Sequence, residues 1–176
     1  MRIEIDKTTA KIANVNIRKE KHGEDEKVAC DLKLSFLTGC AFLDQLAAET
    51  IEMPYEKLLY DERGNKVALG ISAISYSNQY EDHEIMLSQH IAEEENQCFS
   101  DVKINKIAVT IESNKSVGVS IRCQFYPEED QLTWLAERMT HEIELTVVPP
   151  KQEDLADQDL LAQNQAEEDD VVATQG

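Results

Sequence analysis

Positive charge is what this sequence has least of. Its 176 residues carry 17 Lys and Arg against 35 Asp and Glu, a net charge of −18. Eight of the acids follow Pro150, against Lys151 alone, which leaves about −11 on residues 1–150. The body is therefore acidic as well as the end, and binding of duplex DNA through a broad basic face is disfavoured. Two options remain: a narrow basic groove on an acidic protein, or an acidic surface that itself meets a basic partner. Long apolar runs are missing too. None approaches the ~18 residues of a membrane span, so no membrane association is expected. The opening Met1-Arg2-Ile3-Glu4-Ile5-Asp6 holds no apolar signal segment, and a cytoplasmic setting is expected. The six glycines are scattered and build no phosphate loop.

Catalytic and metal-binding patterns are equally scarce. Cys30, Cys40, Cys98 and Cys123 form no C-x-x-C pair and are expected to be free thiols. His22, His83, His90 and His141 lie far apart. His90, Glu93 and Glu94 have a spacing that would share a metal on a helix, but the run reads as a polar loop, and no metal or other cofactor is expected. Cys40 with His83 or His141 makes a nucleophile–base pair only if the fold joins them. A non-catalytic protein is the expectation.

What is present is strand patterning. Ile107, Val109 and Ile111 alternate with polar or small residues, as do Val117, Val119, Ile121, Cys123 and Phe125, which puts each set on one face of a strand. Between them lies Ser113-Asn114-Lys115-Ser116, which is turn chemistry. If Ile111 pairs with Val117, a three-residue loop closed by Glu112 and Ser116 follows, with Asn114 or Lys115 left-handed. Pro127 ends the second strand.

The rest of the chain supports the same class. Ala13, Val15 and Ile17 alternate in a first strand; residues 19–26 read as a charged, eight-residue loop; Val28, Cys30, Leu32, Leu34 and Phe36 alternate in the next strand. Phe42, Leu43, Leu46 and Ala47 fall at helical spacing, and Pro54 suits the start of a second short helix at 55–60. Val67, Leu69, Ile71 and Ala73 begin a third strand; residues 77–97 read poorly, with a short strand over 83–87. Acids after Pro127 open a helix carrying Leu132, Leu135, Ala136 and Met139 beside Trp134. Ile143, Leu145 and Val147 form a last strand, stopped by Pro149-Pro150. Residues 151–176 lack aromatics and read as a disordered acidic tail. The expectation is one mainly β domain over residues 1–150, an antiparallel sandwich or partly open barrel with two or three short helices.

Cations cluster despite their scarcity. Lys11, Arg18, Lys19 and Lys21 lie near the first hairpin loop, and Lys33, Lys103, Lys106 and Arg122 sit among strand residues. Lys33 and Arg122 project opposite to the apolar sets of their strands, so they are expected on one outward face. Tyr76, Tyr80 and Phe99 lie near strand ends. Single-strand binders combine aromatic platforms with a basic groove. The candidate nucleic-acid-binding set is therefore Arg18, Lys19, Lys21, Lys33, Tyr76, Tyr80 and Arg122.

Three stretches carry a resemblance: Lys11-Ile12-Ala13-Asn14-Val15-Asn16-Ile17-Arg18 with Glu20-Lys21-His22-Gly23 and Ala29-Cys30-Asp31-Leu32; Leu58-Leu59-Tyr60; and Met139-Thr140-His141-Glu142-Ile143-Glu144-Leu145-Thr146-Val147-Val148-Pro149-Pro150. Together they resemble a largely uncharacterised family of small phage and prophage proteins that often travels with recombination and replication genes. The resemblance implies single-stranded DNA as the partner, with a phage recombinase or host DNA-processing proteins meeting the acidic tail; a homo-oligomer is compatible with it. The chain departs from tails that end in an aromatic docking residue, since it closes Val171-Val172-Ala173-Thr174-Gln175-Gly176. The rival expectation is an acidic DNA mimic or interaction protein that inhibits a host defence or DNA-processing enzyme.

Overall fold

The computed structural model describes residues 3–22, 25–46, 53–67, 70–89 and 92–151. Seven antiparallel strands dominate: β1 (Ile5–His22), β2 (Asp25–Gly39), β3 (Ala73–Tyr76), β4 (Tyr80–Gln89), β5 (Ala92–Ile111), β6 (Ser116–Phe125) and β7 (Glu142–Val148). They pair in the order β3-β5-β4-β7-β1-β2-β6, and β6 pairs back onto β5. Ile104 shows the closure, since it faces Tyr80 of β4 on one side and Cys123 of β6 on the other. Six strands thus form a ring, and β3 extends along β5 beyond β4. Closure removes most sheet edges.

Alternation explains the ring's interior. Every second residue of β6 from Val117 to Phe125 is buried, as are Cys30, Leu32, Leu34 and Phe36 of β2 and Ile143, Leu145 and Val147 of β7. Each fully buried Leu, Ile or Val contributes roughly 1.5–3 kcal/mol. Among the described residues, three short helices pack against the ring. In α1 (Phe42–Leu46), Phe42, Leu43 and Leu46 are buried, and Phe42 packs edge-on to Phe36 with ring centroids 5.9 Å apart. From the end of α2 (Tyr55–Leu59), the buried Tyr60 donates its hydroxyl to the Ser116 carbonyl at 2.6 Å, with the Glu112 carbonyl at 2.9 Å. α3 (Glu129–Glu137) begins with a capping box between Glu128 and Gln131. It buries Trp134 and Leu135 beside β1, where β1 parts from β7.

The hairpin of β5 and β6 has the expected turn. Ile111 faces Val117, Glu112 N–H donates to the Ser116 carbonyl at 2.9 Å, and both Asn114 and Lys115 have φ of 58°. The β1–β2 connection differs from expectation. Pairing continues through the charged stretch to His22 facing Asp25. Glu20 faces Lys27 and Lys21 faces Glu26, so opposite charges stabilise strand pairing where composition alone suggests a loop. The buried face of β1 also differs. Ala10 and Ile12 are in the core, a register shift follows Ile12, and beyond it Ala13 and Ile17 are exposed and Val15 half-buried.

Other boundaries moved for identifiable reasons. β3 holds only Ala73–Tyr76; Val67 and Ile71 are exposed, and Leu69 lies outside the described residues, as does Ala47. The poorly legible stretch contains β4 and the start of β5, because a register shift between Tyr80 and His83 breaks the alternation of β4. Glu93 and Glu94 therefore lie on a strand rather than a loop or helix, while His90 and the expected tail over 152–176 lie outside the described residues. In α3 the buried pair is Trp134 and Leu135, and Met139 is exposed beyond its end. No helix among the described residues is long and apolar enough to cross a membrane.

Candidate nucleic-acid interface

Facing residues of an antiparallel pair share a face. With Leu32, Leu34, Ile121 and Cys123 inside, the residues between them point outward. Two polar rows then cross the ring's exterior over β1, β2, β6 and β5. One runs Asn14, Lys33, Arg122, Asn105; the next runs Asn16, Asp31, Gln124, Lys103. A groove of about 350 Å³ lies along them, lined by Asn14, Asn16, Lys33, Lys106, Ser120 and Arg122, with Asp31 as its one acid. Lys106 enters through a bulge: Lys106 and Ile107 together oppose Ile121, and Lys106 has φ of 49°. A bulge re-aims a side chain, and here the left-handed residue at it is a cation.

A hydrogen-bond chain fixes this face. Arg18 bonds Asp31 and, at 2.7 Å, Glu20. Gln124 donates to Asp31 at 2.7 Å, Asn105 donates to Gln124 at 2.6 Å, and Arg122 Nε donates to Asn105 at 2.7 Å. Tyr126 donates to Glu20 at 2.7 Å. Burial pushes the Asp31 carboxyl up, but hydrogen bonds from Arg18 and Gln124 and the nearby guanidinium charges outweigh it and hold Asp31 below the usual carboxylate range. The groove's single negative charge is thus already bound by a guanidinium. Arg122 spends one N–H on Asn105 and has four more donors in its fork.

Of the seven residues singled out from sequence, Arg18, Lys33 and Arg122 share this outer face, with Lys33 directly opposite Arg122. Lys19 and Lys21 alternate onto the other side of the β1–β2 ribbon, where Lys19 pairs with Glu26 at 3.2 Å. Tyr80 is a core residue, 1% exposed and edge-on to His83, so it offers no stacking surface; the bulge that follows it turned it inward. Tyr76 is half-buried against the core, and burial holds its phenol well above the ordinary range. The exposed aromatic on the outer face is Tyr126, with Lys27 over its ring at 5.8 Å. Sequence reasoning passed over Tyr126, Asn14, Asn16 and Ser120. For the first, position after Phe125 on the outward parity was an available signal.

The cysteines and His83 lie away from this groove's lining. Cys30, Cys40 and Cys123 are buried and free; Cys98 is exposed and donates to Glu84 at 2.9 Å. Both ring nitrogens of His83 meet backbone groups of Ile3 and Glu81, which leaves neither for general-base work. No family model, curated protein or solved structure matches this chain.

Proposed function

We propose that the protein is a non-catalytic, phage-type single-stranded DNA-binding protein of the host cytoplasm that acts in recombination or replication. One observation carries the binding: Lys33, Lys106 and Arg122 line one groove whose only acid is held by Arg18. These three cations take phosphates, Asn14, Asn16 and Ser120 supply hydrogen bonds to sugars or base edges, and Tyr126 offers a stacking face at the end of the rows. The setting in recombination or replication rests on the family resemblance of residues 11–32 and 139–150.

Fluorescence anisotropy with a labelled oligo-dT at low salt tests the reading. Micromolar binding is expected, with a duplex of equal length bound more weakly by the acidic body. Arg122→Gln, Lys33→Gln and Lys106→Gly should each weaken binding several-fold. Glycine suits the φ of Lys106, so that variant removes charge without lowering stability. Lys19→Gln and Lys21→Gln should change little. No binding at tens of micromolar protein rejects the proposal.

A second reading has its own observation. β4 stands three places from β2 in the ring, and its exposed residues include Glu81, Asp82 and Glu84. An acidic surface there, meeting a basic protein such as a DNA-processing enzyme, predicts that oligonucleotides fail to bind and that a Glu84→Lys variant loses the partner.

A further inference from the structure

Asn105 and Gln124 do not line the groove, yet both belong to a hydrogen-bond chain that enters it at each end. Among the described residues only His83 and Asn105 are buried polar side chains, and Asn105 is 4% exposed. Arg122 faces Asn105 across β6 and β5, and Gln124 faces Asp31 across β6 and β2; the Asn105–Gln124 bond runs diagonally and ties the two rows. The chain has one direction. Arg122 Nε donates to Asn105 Oδ1 at 2.7 Å, Asn105 Nδ2 to Gln124 Oε1 at 2.6 Å, and Gln124 Nε2 to Asp31 Oδ1 at 2.7 Å. Its ends force that direction, because a guanidinium only donates and an ionised carboxylate only accepts. Turning either amide over would set donor against donor and acceptor against acceptor. Asp31, its side chain 14% exposed and bound by Arg18, therefore orients Gln124; Gln124 orients Asn105; and Asn105 presents its carbonyl to Arg122.

We propose that Asp31 is a positioning residue of this groove: acting through Gln124 and Asn105, it holds the Arg122 guanidinium in the pose that meets a phosphate. This accounts for a carboxylate in a groove for an anionic strand, which charge alone would disfavour. The phosphate rests on the proposed function; the relay from Asp31 to Arg122 does not. Cooperative polarisation along a shielded chain strengthens each of its bonds.

Nitrogen-15 spectra of the full chain without ligand read the relay. The Arg122 Nε–H signal, identified by its loss in Arg122→Gln, should exchange slowly with water. Gln124→Met and Asp31→Ala, at two separate links, should each speed that exchange about tenfold or more, although Asn105 is the acceptor of Arg122 Nε. If one variant folds poorly, the other reads the same relay. Joining Asp31→Asn to Gln124→Glu keeps the charge count and restores the direction, since the new amide donates to the new carboxylate, which still accepts from Asn105. Slow exchange should return there. Anisotropy with oligo-dT then reads the consequence: Gln124→Met should weaken binding several-fold in the parent chain and not at all in an Arg122→Gln background. Unchanged exchange in both variants, fast exchange in the paired swap, or an equal loss with and without Arg122 overturns the inference. Failure of every oligonucleotide to bind removes the DNA reading instead, and the exchange measurement still decides the relay.

Discussion

His83 is 1% exposed, and its ring sits between two backbone groups. Ile3 N–H donates to Nε2 at 3.1 Å, and Nδ1 lies 2.7 Å from the Glu81 carbonyl, which fixes the neutral ring with its proton on Nδ1. Burial lowers its pKa from 6.5, against the raising influence of the Glu81 carbonyl and of Asp82. The unfolded chain therefore takes up a proton near pH 6.5 while the fold still refuses it. Stability is full above that pH and falls as pH drops below it, until His83 itself protonates in the fold. Asp31 acts in a lower window, because its folded carboxyl titrates below 3.8 and its contribution is lost only as pH falls through the carboxylate range. Urea midpoints at about pH 7.5 and 5.5 should show the drop, and His83→Asn should flatten it while costing about 1–3 kcal/mol at the higher pH.

At the scale of elements, the sheet bends with few glycines. Lys7, Asp82, Asp101 and Lys106 all have positive φ, and each lies at a register shift of β1, β4 or β5. A left-handed non-glycine residue costs roughly 1 kcal/mol, which neighbouring ladder bonds and core contacts must hold in place. The β5–β6 turn places the same demand on Asn114 and Lys115, with φ of 58° at each. Asn tolerates this conformation better than Ala, and Gly better still. Asn114→Ala should therefore destabilise by about 1 kcal/mol and Asn114→Gly should be neutral or stabilising. Chemical denaturation of the two variants measures the difference. A cost equal in both would mean that a side-chain contact of Asn114, rather than its backbone, matters.

Across the whole molecule, the scarce cations are gathered into rows rather than spread evenly. The ring puts the Lys33–Arg122 row on β1, β2, β6 and β5, while Glu81, Asp82 and Glu84 are exposed on β4, where Glu81 pairs with Lys103 of the neighbouring row at 2.9 Å. On the proposed reading, these rows are what let an acidic chain hold an anionic strand. With about three phosphates neutralised, log affinity for single strands should fall with log salt at a slope near −2, roughly 20-fold between 50 and 200 mM. Anisotropy titrations at four salt concentrations measure the slope. A slope near zero would remove phosphate contact from the account, and a much steeper one would enlist cations beyond Lys33, Lys106 and Arg122.

The sequence by itself determined the fold class, the β5–β6 turn, the last strand and the outward parity of Lys33 and of Arg122, because period-two alternation and turn chemistry are local properties. It showed the alternation of Ala13, Val15 and Ile17 but not that Ala13 and Ile17 are exposed, and it took Tyr80 as a stacking aromatic and residues 19–26 as a loop. Each of those depends on something no local pattern carries: a neighbouring strand, β7, that pairs with β1 only as far as Lys11, a register shift that turns Tyr80 inward, or opposite charges meeting across a hairpin. Only closure of the ring decided that four strands from distant parts of the chain would bring Asn14, Lys33, Arg122 and Lys106 to one groove. Strand neighbours are set by which apolar faces can bury one another, and that is a property of the whole chain.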